Sequence, residues 1–212
     1  MSKSPGSVDW REARRRSARD AIVEAAWTLV RGEGLAALSL RDLANRAGIT
    51  TPTVYAYFDS KNAIYDAMFG HAAADFADRM TEPDAADDPQ AVLAGSARRF
   101  VEFCTSDVAR YQLLFQRTIP GFEPTPESLA PAGRALDAVR ERLALNGVTE
   151  PEHVDMWTAL TTGLVDQQIS NDPGGDRWAR LVDDFVAMFL GYCQPTRSPA
   201  RRAKPRPSTE RA

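Results

Sequence analysis

A chain of 212 residues with 43% hydrophobic residues can form one large domain, or a small domain joined to a bigger one, around a real core. Its two cysteines, Cys104 and Cys193, match no CxxC pair and give no basis for a disulfide scaffold, which fits a reducing cytoplasm. The sequence opens without an apolar signal segment and holds no run of the roughly 18 apolar residues that a membrane span needs, so secretion and membrane insertion are not expected.

The net charge of -3 conceals a strong asymmetry. Residues 1–61 hold ten Lys or Arg against seven Asp or Glu, residues 62–195 hold ten against 21, and residues 196–212 hold six against one. A basic head on an acidic body suits contact with a polyanion at one end only, because the local field governs such contact.

Residues 1–16 read as a flexible basic arm, with Arg11, Arg14, Arg15 and Arg16 placed either to follow a nucleic-acid backbone or simply to solubilise the chain. The first helix is predicted from Ser17, where "SARD" reads as a capping box, and continues through Ile22, Ala25, Ala26, Leu29 and Val30. A second box, Ser39 to Asp42, heads a helix of about two turns with Leu40, Leu43 and Ala44 on its apolar face. Gly48 lets the chain reverse, Thr50 or Thr51 caps a third short helix, and Pro52 falls near its first position, where a missing N–H costs nothing. Asp59 or Ser60 then caps a long fourth helix carrying Ile64, Met68 and Phe76.

Two short helices joined by a tight glycine turn make a helix-turn-helix unit. If Val54 and Phe58, four residues apart, face inward, then Thr51, Thr53, Tyr55 and Tyr57 are left on other faces, with Lys61 just beyond. A merely solvated helix would favour Glu, Lys, Gln and Ala. Threonines can instead meet base edges or a thymine methyl, while tyrosine hydroxyls and a lysine can reach phosphate oxygens.

The body is predicted to be helical too. Residues 90–118 read as two helices broken near 105–107, the proline-rich "TIPGFEPTPESLAP" as a connection, and Leu136 to Leu145 as another helix. Two further helices, about 151–170 and 177–192, carry apolar residues on more than one face and so need cover from a partner. Leu164, Ile169, Leu181, Phe185 and Phe189 are the expected dimerisation residues. Gly163 within the first of these two helices suggests close approach of another backbone or of a ligand. A pocket is expected among Phe100, Phe103, Cys104, Phe115, Met156, Trp157 and Leu160, although each is equally compatible with plain packing.

The stretch "AIVEAAWTLVRGEGLAALSLRDLANRAGITTPTVYAYFDSKNAIYDAMF" resembles the amino-terminal DNA-binding domain of the TetR family of bacterial transcriptional regulators, through its "LSLRDLA..AGI....VY.YF.SK" framework. The resemblance implies an all-α homodimer of about nine helices. It would comprise a three-helix head at 17–61, a ligand-binding and dimerisation domain at 62–192, and here a disordered basic tail at 193–212. It also implies a repressor that binds a palindromic double-stranded DNA operator and is released by a small apolar or amphipathic effector. Carried over by position, Tyr55, Tyr57 and Lys61 fall on phosphate contacts, Thr51, Pro52 and Thr53 on the base-facing start of the recognition helix and Ser39 on the cap of the helix that braces it, and Arg16, Arg41 and Thr50 complete the expected DNA-contacting set. Pro52 departs from the glycine that many members have, stiffening the first turn of the recognition helix and removing a backbone donor.

Two other classes compete. A helical protein-interaction module would not need the Thr/Tyr/Lys face, and an enzyme would need a site that no nucleophile elbow, HExxH, phosphate loop or CxxC supplies. No catalytic residue, cofactor or metal is expected, since only His71 and His153 could join carboxylates in a metal site.

Overall fold

The computed structural model describes residues 6–193, and among these the regular structure is entirely helical. α1 (Gly6–Glu33), α2 (Leu40–Arg46), α3 (Thr51–Tyr55) and the start of α4 (Lys61–Met80) build the head. α5 (Pro89–Ser106), α6 (Val108–Phe115), α7 (Pro126–Leu145), α8 (Pro151–Asn171) and α9 (Val182–Cys193) follow.

α1 begins well before Ser17 and runs unbroken through it, so the expected cap there does not form and residues 6–16 are helical rather than a flexible arm. Arginine, glutamate and alanine are good helix formers, and no glycine or proline interrupts the chain between Gly6 and Gly32. Two arginines also fasten this helix to the next elements: Arg19 donates to the Tyr57 carbonyl at 2.6 Å and Arg15 to the Ala56 carbonyl at 3.5 Å. Residues 1–5, and all but Cys193 of the expected 193–212 tail, lie outside the described residues.

The head's short helices start on local side-chain caps. The Ser39 hydroxyl accepts from the Asp42 N–H and donates to its carboxylate, Thr50 accepts from the Thr53 N–H, and Ser60 accepts from the Ala63 N–H. Gly48, at φ 67°, makes the left-handed reversal between α2 and α3. Leu43, Val54 and Ile64 are fully buried in one cluster with Val23, Val30 and Phe58. The Tyr65 hydroxyl, within the same cluster, donates to the Leu35 carbonyl at 2.5 Å.

A second cluster occupies the body, where Trp157, Phe185 and Phe189 pack with Phe76, Phe103 and Leu143. α4 spans both clusters, as Ile64 and Met68 belong to the first and Phe76 and Met80 to the second. α6 spans them as well, with Ala109 and Leu113 in the head's cluster and Tyr111 in the body's. The proline-rich connection is shorter than predicted: α7 already starts at Pro126 behind the Thr125 cap and carries Pro131 inside it. A Cβ built at Gly163 meets nothing within 4 Å among the described residues, so close approach inside the subunit does not explain that glycine.

Candidate nucleic-acid interface and effector cavity

α3 is held by its inner face and offers its outer one. Val54 is fully buried and Phe58 is 2% exposed, which fixes the rotation of the helix, while Tyr55 on the opposite side is 51% exposed. Thr50 and Pro52 are exposed and Thr51, Thr53 and Tyr57 half-buried, so the expected reading surface is open to solvent to different degrees. The Thr53 hydroxyl is not free: it shares a hydrogen with the Thr50 hydroxyl at 2.8 Å, so the cap and the expected reading residue form one local network. Lys61, at the start of α4, lies 5.5 Å from the Tyr65 ring centroid and 3.5 Å from the Ala36 carbonyl. Ser39 is half-buried, its hydroxyl engaged in the α2 cap, and Arg41 is exposed beside it.

An open groove of about 700 Å³ runs between α1 and α3, lined by Trp10, Arg11, Arg14 and Arg15 on one side and by Pro52, Thr53, Ala56 and Tyr57 on the other. The Arg15 guanidinium lies 6.0 Å from the centre of the Tyr57 ring. Arg16 is not part of this groove; it borders the crevice between α1 and α4 near Asp20 and His71. Arg16 stands out in the sequence only while the segment is taken as unstructured. As a helix the same segment turns Arg11, Arg14 and Arg15 toward α3, a spacing of 3 and 4 that follows the helical period.

In the body a cavity of about 150 Å³ lies between α4, α5, α7 and α8. Phe76, Phe100 and Phe115 form its aromatic corner, with ring centroids 5.2 to 6.0 Å apart and edge-to-face angles of 68° to 85°. Trp157 lines it too. Of the seven expected pocket residues it thus gathers Phe100, Phe115 and Trp157. Phe103 and Cys104 are packed in the core, Met156 packs partly buried against the same cluster, and Leu160 is 40% exposed. With 3.6 residues per turn, the face of α8 that follows Trp157 into the cavity carries Thr158, Thr161 and Thr162. Met156 and Leu160 fall on the other side of it. Apolar neighbours thus point to the wrong face of α8, and "TALTT" is the signal that marks the right one.

Burial raises the Cys104 thiol far above its ordinary value, against the partial opposition of Arg110. Tyr111 is likewise pushed up by burial and by its hydrogen bond to Asp166, at 2.7 Å, which also accepts from Gln116 at 2.9 Å. Both groups are therefore neutral at physiological pH.

Two of the expected dimerisation residues are subunit core. The rings of Phe185 and Phe189 each lie 5.1 Å from Trp157, because α9 turns them inward together with Val182 and Val186. Leu164 and Ile169 are half-buried, and Leu181 is exposed alongside Met188 and Tyr192.

Comparison with known proteins agrees with this arrangement. Residues 22–68 match the model of the bacterial regulatory proteins of the tetR family. The HTH-type transcriptional regulator Rv1816 of Mycobacterium tuberculosis is 26% identical over 211 residues, covering 85% of this chain and 86% of that protein. The tetracycline repressor protein class A from transposon 1721 of Escherichia coli is 37% identical over 81 residues, which are 37% of this chain and 36% of that protein. The fold is also that of the TetR family transcriptional regulator PfmR from Thermus thermophilus, with a TM-score of 0.60, 20% identity, and coverage of 80% of this chain and 97% of that one. The helix-turn-helix head, over residues 22–68, is thus a domain of the bacterial regulatory proteins of the tetR family, here joined to a larger helical body. No helix among the described residues is long and apolar enough to cross a membrane.

Proposed function

We propose that the protein is a repressor that binds a palindromic operator as a homodimer and is released by a small effector held in the body. The observation that carries the DNA reading is the orientation of α3: Val54 and Phe58 anchor it while Thr53, Tyr55 and Tyr57 face a groove or solvent beside a row of arginines. Threonine hydroxyls and methyls address base edges, and Tyr55, Tyr57, Lys61, Arg11, Arg14 and Arg15 address phosphates. The repressor assignment draws on the name of the tetracycline repressor, whose likeness covers the amino-terminal part of this chain.

A second copy is proposed to cover the outer face of α8 and α9, where Leu160, Leu181, Met188 and Tyr192 are 40% to 65% exposed. α9 thus has apolar residues on opposite faces, one facing the subunit's own core and one left for a partner. For the effector, the supporting feature is the double attachment of α6. Its last residue, Phe115, walls the cavity, its Ala109 and Leu113 pack in the head, and its cap Asp107 accepts from Arg31 of α1 at 2.8 Å. Displacing Phe115 would therefore bias the position of the head, and a tenfold preference for the released arrangement corresponds to about 1.4 kcal/mol.

Selection of random duplexes with the full-length protein should return an inverted repeat. On that duplex Lys61→Ala should lower the slope of log affinity against log salt by about 0.9 per contact, or about 1.8 for a symmetric dimer. Enrichment of no sequence, together with binding indifferent to salt, would reject the reading.

A further inference from the structure

We infer that the effector is a neutral molecule with a single aromatic ring and one hydrogen-bonding group, and that this group meets Ser96. The inference rests on the effector reading above and narrows it from its broad class of apolar or amphipathic compounds.

Three observations converge. The cavity's volume of about 150 Å³ has room for one benzene-sized ring. Its aromatic corner of Phe76, Phe100 and Phe115 already packs edge to face, and Trp157 adds another ring, which matches the quadrupole of a flat guest. No charged side chain lines it among the described residues, so an ionised guest would lose its hydration without gaining a partner.

Four hydroxyls line the wall, and two of them are already engaged. The Thr158 hydroxyl donates to the Val154 carbonyl at 3.0 Å and the Thr161 hydroxyl to the Trp157 carbonyl at 2.9 Å, as threonines inside helices commonly do. Ser96 and Thr162 differ: neither hydroxyl has a hydrogen-bond partner among the described residues, and Ser96, 2% exposed, is the more deeply placed of the two. The Ser96 hydroxyl is open to the cavity, and a guest that supplies it a partner gains a hydrogen bond there. Because a serine hydroxyl both donates and accepts, a phenol-type hydroxyl satisfies it while the ring fills the aromatic corner.

The test uses the full-length protein and three probes, phenol, toluene and benzoate, with binding followed by tryptophan fluorescence and by calorimetry at neutral pH. Phenol should bind at least tenfold more tightly than benzoate. Ser96→Ala should weaken phenol by about threefold to tenfold and leave toluene unchanged, since one hydrogen bond is lost and the apolar contacts stay. Ala132→Phe, which fills the cavity from α7, should abolish binding of both rings while the circular dichroism spectrum is retained. Benzoate binding as tightly as phenol would overturn the assignment, as would a phenol-to-toluene ratio unaffected by Ser96→Ala. Absence of phenol binding in a preparation that still recognises its selected duplex would overturn it too, and would leave the DNA reading standing.

Discussion

The head and the body are both helical and both enclose an apolar cluster, but they are held together by different kinds of polar contact. In the head the side-chain bonds that start the short helices span three residues, from Ser39 to Asp42, Thr50 to Thr53 and Ser60 to Ala63, and the longer ones from Arg15, Arg19 and Tyr65 all end on backbone carbonyls. In the body they span the chain. Asp84 accepts from Arg99 at 2.5 Å and from Arg142 at 3.0 Å, Asp66 accepts from Ser128 at 2.9 Å, Tyr111 donates to Asp166 across 55 residues, and Arg98 pairs with Asp183. The short helices of the head are thus set by local signals, whereas the body adds side-chain pairings between elements far apart in the chain.

The sharpest test of that contrast is in the body's core. Phe189 is 1% exposed and packs edge-on against Trp157, so Phe189→Ala should cost about 3–5 kcal/mol, read as a lowered urea midpoint. Because the residue faces its own subunit, the monomer–dimer equilibrium measured by sedimentation should shift far less than for Met188→Asp on the outer face. A larger dissociation for Phe189→Ala would return it to the interface.

The long-range polar pairings come next. Arg142 is buried and donates to Asp84, to the Ala138 carbonyl and to the Glu82 carbonyl, so the guanidinium ties the loop after α4 onto α7. Burial works to raise the Asp84 carboxyl, but the hydrogen bonds and charges of Arg99 and Arg142 outweigh it and hold it below the ordinary value of 3.8. A depressed carboxyl contributes stability above its unfolded value and loses it as pH falls through the lower folded one. Asp84→Asn should therefore cost about 2 kcal/mol at neutral pH, and the gap between wild type and variant should narrow below pH 3.8. A gap that stays constant through that acid range would mean that the charge on Asp84 contributes nothing.

Smaller effects are expected from the local caps. Ser39→Ala and Thr50→Ala should each cost about 1 kcal/mol in thermal unfolding, because each leaves a helix N–H without its acceptor. Ser17→Ala should be near neutral, since Ser17 stands within α1 and caps nothing.

These differences account for what the sequence makes legible. Ser39, Gly48, Thr50 and Ser60 announce their roles within four residues, and the period of Val54 and Phe58 fixes the exposed face of α3, so most of the head can be read directly. The start of α1 is not legible in the same way, because "SARD" has the form of a capping box and nothing local tells a mid-helix serine from a capping one once good helix formers precede it. In the body, hydrophobicity marks α8 and α9 as buried but does not say against what. Phe189 facing its own subunit, Met188 facing out and the threonines facing the cavity depend on the placement of α4, α5 and α7, elements many residues away.

The smallest expected effect tests where the local network meets the DNA-reading surface. The Thr53 hydroxyl shares its hydrogen with Thr50, so it belongs to the cap of α3 as well as to the exposed groove. Thr53→Val keeps the methyl and the side-chain volume but removes the hydroxyl, whereas Thr53→Ala removes both. If the methyl meets a thymine, the valine variant should keep the wild-type preference at one position of each half-site and the alanine variant should lose roughly 1 kcal/mol or less of it. If the hydroxyl reads a base edge, both variants should lose the same preference. In either case the salt slope should stay at the wild-type value, because no charge is removed. Affinity measured across a salt series on single-base variants of the selected duplex separates these outcomes. A changed slope for either variant would place Thr53 among the backbone anchors instead of the reading residues.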